Sequence, residues 1–198
     1  MSDLHCAATV LVTRHGEAEY ESDLLSDAGG SLTLAGRRQS QRLADSLTQR
    51  NVAMIYASPL ARAVQTAEIV AGRLGCVVRV REGLAELSVG DHAGQPESPE
   101  LFAPVFQRWR AGDLSAAVVG AENGASMVAR VQAVLEEVAD LHRGETVLVV
   151  SHGGVMSLVL PRLAVNLPDD HAAGRSLPSC VPVELSADAD GWTCAGWP

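Results

Sequence analysis

Three continuous apolar runs, each followed at once by polar residues, constrain the fold of this chain more than any other feature. They lie at residues 8–13, 52–57 and 146–150 and are rich in β-branched side chains. A strand that is apolar on both faces is typical of a parallel sheet covered by helices on both sides. The runs therefore predict the buried strands of an α/β fold.

Helical patterns separate these strands. Thr33 is predicted to cap one helix, and Ser58 and Pro59 are predicted to be the N-cap and the first residue of a second helix. Apolar residues at helical spacing predict a third, long helix over about residues 126–141. Strands that alternate with helices indicate a three-layer α/β/α architecture with a largely parallel central sheet.

The predicted organisation is a single domain over residues 1–198, because no linker, repeat or low-complexity segment interrupts the chain. Residues from about 97 to 125 are predicted to form a helical insertion near the functional site. Residues from about 181 to 195 contain two short strand-like runs around Asp190 and Gly191, which predict a C-terminal hairpin at the edge of the sheet.

The composition excludes several classes of function. The chain has 15 arginines, no lysine and a formal net charge of −9. Without lysine there is neither Schiff-base chemistry nor a Walker-type nucleotide-binding loop, and an acidic protein repels nucleic acid. No apolar run is long enough for a membrane span, and the cysteines form no metal-binding pattern, so we expect free thiols and a cytoplasmic protein. The lysine-free, alanine-rich composition favours a bacterial source.

Polar residues follow the three strands at the points where they end. Arg14 and His15 follow the first strand, Arg62 lies just beyond the second, and His152 and Gly153 follow the third. Because ligands bind at the carboxyl ends of the strands in open α/β sheets, we expect these residues to converge on one crevice. Two arginines, a second histidine and a helix N-terminus form a phosphate-binding set that requires no metal ion.

Five motifs, taken in order, resemble the histidine phosphatase (phosphoglycerate mutase-like) superfamily. The resemblance covers about residues 10–158. The motifs are Arg14-His15-Gly16-Glu17; Leu32-Thr33 with Gly36 and Gln39; Ser58-Pro59-Leu60-Ala61-Arg62 continuing to Ala67; Leu84-Ala85-Glu86 with Gly90 and Gly94; and Ser151-His152-Gly153-Gly154-Val155. The resemblance implies a phosphoglycerate mutase-like fold and phosphoryl transfer through a phosphohistidine, with neither a cofactor nor a metal ion.

The resemblance also implies a role for each site residue. His15 is the nucleophile, and Arg14, Arg62 and His152 hold the phosphoryl oxygens beside the helix N-terminus that begins at Gly153. The physical chemistry of these groups agrees, because a neutral imidazole is a nucleophile near pH 7 and arginine forks neutralise the charge of a phosphoryl group.

The proton donor implied by the resemblance is Glu86, which would protonate the leaving oxygen and later activate the water that cleaves the phosphohistidine. His15, His152 and Glu86 are therefore the predicted catalytic residues. Loop glutamates are usually solvated, so this role depends on the surrounding motif, and the nearby Glu82 remains an alternative.

The chain departs from the family pattern at the rim of the expected pocket. Ala18 and Glu21 stand where the family has a threonine or serine and an asparagine. We name Glu17, Glu21, Arg37 and His92 as candidate residues of the substrate rim. The long insertion that mutases carry near the proton donor is missing, which favours a phosphatase over a mutase.

The leading hypothesis is a metal-independent phosphatase that hydrolyses a phosphate monoester on a small substrate and binds neither nucleic acid nor a membrane. A phosphoglycerate mutase and a catalytically weak module that binds a phosphorylated ligand are alternatives. A protein-phosphohistidine phosphatase is a further option, because Arg-His-Gly-Glu-Ala resembles that subgroup, although its members lack the segment that contains Glu86. The sequence leaves the natural substrate and a homodimeric state open.

Overall fold

The computed structural model describes residues 6–20, 23–96 and 98–198. The strands are β1 (Ala8–Arg14), β2 (Ala18–Glu19), β3 (Ser31–Leu32), β4 (Val52–Ala57), β5 (Val78–Val80), β6 (Thr146–Ser151), β7 (Val183–Asp188) and β8 (Gly191–Gly196). The helices are α1 (Leu34–Ser46), α2 (Ala61–Leu74), α3 (Pro99–Arg110), α4 (Gly124–Leu141) and α5 (Gly153–Leu163), with 3-10 turns at Glu82–Leu84 and Gly90–His92.

Six of these strands form one sheet in the order β5-β4-β6-β1-β7-β8. The pairs β5-β4, β4-β6 and β6-β1 are parallel, whereas β7 pairs antiparallel with both β1 and β8. The short strands β2 and β3 form a separate antiparallel pair. The predicted α/β architecture with a largely parallel central sheet is therefore confirmed.

Two apolar clusters, one on each face of the sheet, explain why its central strands are continuously apolar. Val10 and Val12 of β1 belong to the cluster that contains the buried faces of α4 and α5. Leu11, between them, belongs to the cluster that contains α1 and α2. Within the described residues, no helix has the length and apolar composition that crossing a membrane requires.

Two helix boundaries differ from the prediction. The structure begins α2 at Ala61 with Leu60 as its N-cap, so the prediction that Ser58 caps it and Pro59 is its first residue is wrong. Leu60 makes no side-chain capping bond because leucine has no polar side-chain atom, and the Ser58 hydroxyl instead contacts the N–H of Leu60 and a histidine at the end of β6. The long helix α4 begins at Gly124, two residues earlier than predicted, because Asn123 caps it.

The predicted cap of α1 is confirmed, since Thr33 Oγ1 accepts a hydrogen bond from Gly36 N at 3.0 Å. The backbone of α1 also lies against the loop that follows β1. A Cβ added to Gly36 would lie 2.0 Å from the carbonyl oxygen of Glu17, and one added to Gly16 would lie 2.6 Å from the carbonyl oxygen of Gly36. This close approach fixes the loop after β1 on the first turn of α1.

The variant Gly36→Ala is therefore expected to lower the free energy of unfolding by about 1–3 kcal/mol, because backbone atoms must move to admit the methyl group. The matched control is Gly72→Ala in α2, where no atom lies within 4 Å of the added Cβ. That variant is expected to raise the free energy of unfolding by roughly 0.5–1 kcal/mol, since alanine favours a helix. Urea unfolding measures both, and effects of the same sign would contradict the packing described.

Candidate active site

The carboxyl ends of three neighbouring strands meet at one edge of the sheet. Arg14 at the end of β1 lies opposite Ser151 at the end of β6, and β4 pairs on the other side of β6. The backbone N–H of His15 donates to the carbonyl of Ser151 at 3.1 Å, and that of Ser58 donates to the carbonyl of Val150 at 2.9 Å. The residues that follow the three strands are thus brought together, as the strand pattern predicts.

The hydrogen bonds of His15 define its tautomer. Its Nδ1 lies 2.7 Å from the carbonyl oxygen of Gly16, so Nδ1 carries the hydrogen and donates it. Its Nε2 accepts a hydrogen bond from Arg62 Nε at 3.1 Å, and therefore has a lone pair. Burial lowers the pKa of His15 to about 4, and the charges of Arg62 and Arg14 act in the same direction, against the hydrogen bond to Gly16. His15 is therefore neutral near pH 7.

The second histidine, His152, is buried behind the first. The ring centroids of His15 and His152 are 5.1 Å apart, and His152 is 0% exposed. Burial lowers the pKa of His152 to about 2, and the charge of Arg62 contributes to the shift. His152 Nε2 lies 2.7 Å from Ser58 Oγ, which also accepts from the N–H of Leu60. In the tautomer in which Ser58 donates to Nε2, the imidazole hydrogen of His152 is on Nδ1.

Two buried nitrogen atoms around His15 have no hydrogen-bond partner among the described residues. They are Arg14 Nε and His152 Nδ1. The Arg14 guanidinium donates from its Nη1 to the carbonyl oxygen of Leu177 at 3.4 Å, its one side-chain hydrogen bond within the part of the chain that the structure describes. Since buried polar groups are normally paired, two unpaired nitrogens beside a buried imidazole fit a bound anion whose oxygens accept from them.

Glu86 lies at the N-terminus of α5. Its carboxylate accepts hydrogen bonds from the N–H groups of Leu87, Gly154 and Val155, each at 3.0 Å. Helix N-termini attract carboxylates because their first N–H groups have no partner within the helix. The structure therefore places Glu86 beside the predicted phosphate-binding residues. The alternative, Glu82, does not line the same cavity but a separate cleft.

A cavity of about 510 Å³ lies over these residues. Arg14, His15, Arg62, Glu86 and Gly153 form one part of its wall. The cavity is much larger than a phosphate group, so it has room for an organic group attached to the phosphate. Within residues 6–20, 23–96 and 98–198, no three His, Cys, Asp or Glu side chains form a group that could hold a metal ion.

Three further arginines line the cavity and were not predicted from the sequence. They are Arg110 at the end of α3, Arg162 in α5 and Arg175 in the loop before β7. Arg162 links α5 to α3, because its Nη1 donates to the carbonyl of Leu158 in α5 at 2.8 Å and its Nη2 donates to the carbonyl of Trp109 in α3 at 2.9 Å. No sequence pattern identifies Arg175 as a cavity residue. For Arg110, the sequence indicates only that it lies in the insertion predicted near the site.

The predicted rim residues that the structure describes do not line this cavity. The Glu17 carboxylate accepts from Thr33 Oγ1 at 2.8 Å, so it supports the start of α1. Arg37 lies exposed on α1, and the ring of His92 packs against Phe102 at 6.0 Å between centroids. The fourth rim residue, Glu21, lies outside the described residues. Beyond the phosphate-binding residues, the cavity is instead lined by Tyr20, by residues of α3 and α5 and by the loop before β7.

Comparison with protein families and curated proteins identifies related sequences along nearly the whole chain. A family model described as the histidine phosphatase superfamily (branch 1) matches residues 10–198. A phosphoglycerate mutase-like protein 4 from Arabidopsis thaliana is 28% identical over 96% of this chain and 84% of its own length. A probable phosphoglycerate mutase from Yersinia enterocolitica is 27% identical over 95% of this chain and 89% of its own length.

Solved structures share the fold. Bacillus stearothermophilus YhfR is 29% identical and superposes with a TM-score of 0.81, covering 96% of each chain. A mycobacterial glucosyl-3-phosphoglycerate phosphatase is 26% identical with a TM-score of 0.79, covering 96% of this chain and 98% of its own. An Escherichia coli protein described as a putative alpha-ribazole-5'-P phosphatase is 25% identical with a TM-score of 0.75, covering 95% of this chain and 94% of its own.

Proposed function

Because the chain belongs to the histidine phosphatase superfamily, branch 1, we propose that it is a metal-independent phosphatase that hydrolyses a phosphate monoester through a phosphohistidine at His15. The observation that carries the proposal is the state of His15. Its pKa is lowered to about 4, its Nδ1 donates to Gly16, and its Nε2 keeps a lone pair at the wall of the cavity. A neutral imidazole in this tautomer is a competent nucleophile.

In the first proposed step, His15 Nε2 attacks the phosphorus atom of the bound ester. The N–P bond forms while the bond between phosphorus and the leaving oxygen breaks, and Glu86 donates the proton that the leaving oxygen needs. Arg62 Nε, which donates to Nε2 in the structure, moves to a phosphoryl oxygen and frees the lone pair. The products of this step are a free alcohol and phospho-His15.

In the second step, a water molecule attacks the phosphorus atom of phospho-His15. Glu86, now a carboxylate, takes a proton from this water, the N–P bond breaks, and inorganic phosphate leaves. The proton on Glu86 and the lone pair on Nε2 are thereby restored. One carboxyl group acts as acid and then as base, which balances protons over the cycle.

The charges around His15 support this chemistry. Phosphoryl transfer depends mainly on positioning and on neutralising the charge of the three non-bridging oxygens. Arg14 and Arg62 supply two positive forks, and the unpaired Arg14 Nε and His152 Nδ1 offer donors that no other described residue uses. Gly153, at the first turn of α5, brings a helix N-terminus to the same wall.

The relatives include both mutases and phosphatases by name, so the reaction must be tested directly. The experiment incubates the purified protein with p-nitrophenyl phosphate, 3-phosphoglycerate, sugar phosphates, nucleotides and phosphopeptides, with and without EDTA. We expect release of inorganic phosphate that EDTA does not reduce. Interconversion of phosphoglycerate isomers without free phosphate would favour a mutase, and binding without any turnover would favour a phospho-ligand-binding module. Inhibition by EDTA would contradict metal independence.

A further inference from the structure

The loop that contains Glu86 is held by polar contacts on its backbone. Three successive carbonyl oxygens, those of Gly83, Leu84 and Ala85, accept hydrogen bonds from side chains. Arg130 Nη1 donates to Gly83 and to Ala85, each at 2.8 Å, and Ser151 Oγ donates to Leu84 at 2.9 Å. Side-chain hydrogen bonds therefore hold three successive carbonyl groups directly before Glu86.

Arg130 is itself held in place by Glu122. Its Nε lies 2.9 Å from both carboxylate oxygens of Glu122, and its Nη2 lies 2.5 Å from one of them. The two side chains are only 23% and 25% exposed. Every nitrogen of the guanidinium therefore has an acceptor. A lysine at this position has only one nitrogen, so it could not bind the carboxylate and both carbonyl oxygens at the same time.

A cleft of about 320 Å³ lies on one side of this loop, lined by Glu86, Glu122, Arg130 and their neighbours. On this side the loop faces the cleft and is held by the hydrogen bonds of Arg130, whereas Leu84 of the same loop is fully buried in the apolar core. Beyond Glu86, the loop is held by Asp27, whose carboxylate accepts from Val89 N at 2.7 Å and from Ser88 Oγ at 2.8 Å.

We propose that Arg130, oriented by Glu122, is a positioning residue for proton transfer by Glu86. The inference rests on the proposed phosphatase function and deepens it. The N–H groups of Leu87, Gly154 and Val155 hold the carboxylate of Glu86 itself. Arg130 fixes the carbonyl of Ala85 and thus the start of the Glu86 peptide, so it helps to set where the carboxyl group lies relative to the leaving oxygen. Proton transfer is sensitive to such placement, since a displacement of about 1 Å can cost on the order of 100-fold in rate.

The test compares Arg130→Lys with wild type on two aryl esters of similar size. Phenyl phosphate releases a phenolate that requires a proton, whereas p-nitrophenyl phosphate releases an anion that the nitro group stabilises. We compare kcat/KM, which reports formation of phospho-His15 and not its later hydrolysis, a step that both esters share. We expect Arg130→Lys to lower kcat/KM on phenyl phosphate by about 10- to 100-fold and on p-nitrophenyl phosphate by less than about threefold. In a Glu86→Gln background, Arg130→Lys is expected to cause no further loss on phenyl phosphate, because the two residues act through one step.

The matched control is Arg50→Lys, which alters another paired arginine, bound to Glu184 at 3.0 Å. It is expected to leave the ratio of the two rates unchanged. If Arg130→Lys does not fold, Glu122→Gln tests the same point, because it keeps the guanidinium and removes the negative charge of its carboxylate partner.

Equal losses of kcat/KM on both esters, or an additive loss in the Glu86→Gln background, would overturn the positioning role. Wild-type protein inert towards both esters would instead refute the proposed phosphatase, and the role of Arg130 with it. The two failures are therefore distinguishable from the wild-type rates alone.

Discussion

Replacing His15 with asparagine is expected to reduce phosphatase turnover by on the order of 10,000-fold or more, because the variant has no nucleophile to form the covalent intermediate. Arg14, Arg62 and His152 remain, so the variant is expected to keep its affinity for inorganic phosphate. Steady-state kinetics and phosphate titration by calorimetry measure the two effects separately. Residual turnover within about tenfold of wild type would contradict nucleophilic catalysis by His15.

The control for this variant is His142→Asn. His142 lies away from the cavity, where its Nε2 contacts the hydroxyl of Tyr56 at 3.0 Å and its Nδ1 contacts Glu145 at 2.7 Å. Removing these contacts is expected to lower stability while turnover per folded molecule stays unchanged. The pair of variants therefore separates loss of a histidine in general from loss of the nucleophile.

The second large effect is on stability at mildly acidic pH. The pKa values of His15 and His152 are lowered from 6.5 to about 4 and about 2 by burial. Between these values and 6.5 the unfolded chain binds protons that the folded protein does not, so stability is full above pH 6.5 and is lost as the pH falls. From pH 7 to pH 5 the two histidines together are expected to remove on the order of 4 kcal/mol from the free energy of unfolding.

Urea unfolding followed by tryptophan fluorescence at pH 7 and pH 5 measures this loss. The variant His15→Asn lacks one of the two groups and is expected to lose about half as much stability as wild type over the same interval. Equal free energies of unfolding at both pH values would show that the two imidazoles accept protons freely in the folded protein, against the burial that the structure shows.

The central fold and the strand-end residues could be predicted because both follow from local patterns. A strand that is apolar on both faces, such as residues 146–150, must be buried on both faces. This requirement predicts a sheet with helices on both sides. The carboxyl ends of neighbouring parallel strands lie together by geometry, so Arg14, His15 and His152 had to meet once β1 paired with β6. Neither inference requires knowledge of loop conformations.

Residues that act across long sequence separations were harder to predict. The local motif predicts that Ser58 caps a helix, yet its hydroxyl contacts His152, 94 positions away. Arg130 has the pattern of a solvated helix residue, and only the fold brings it to Gly83, 47 positions away. The cavity wall around Arg175 is formed by an irregular loop. Because the loop has no hydrophobic periodicity, its conformation could not be predicted from its residues.

The most direct test of nucleophilic catalysis by His15 is to detect the phosphohistidine itself. Wild-type protein is mixed with a phosphate ester, quenched in denaturant at alkaline pH, digested with trypsin and analysed by mass spectrometry. Cleavage after Arg14 and Arg37 releases the peptide 15–37, in which His15 is the sole histidine. We expect one phosphoryl group on His15 that appears during turnover and disappears when substrate is exhausted. Turnover without phosphorylated enzyme, or with the phosphoryl group on another residue, would contradict nucleophilic catalysis by His15.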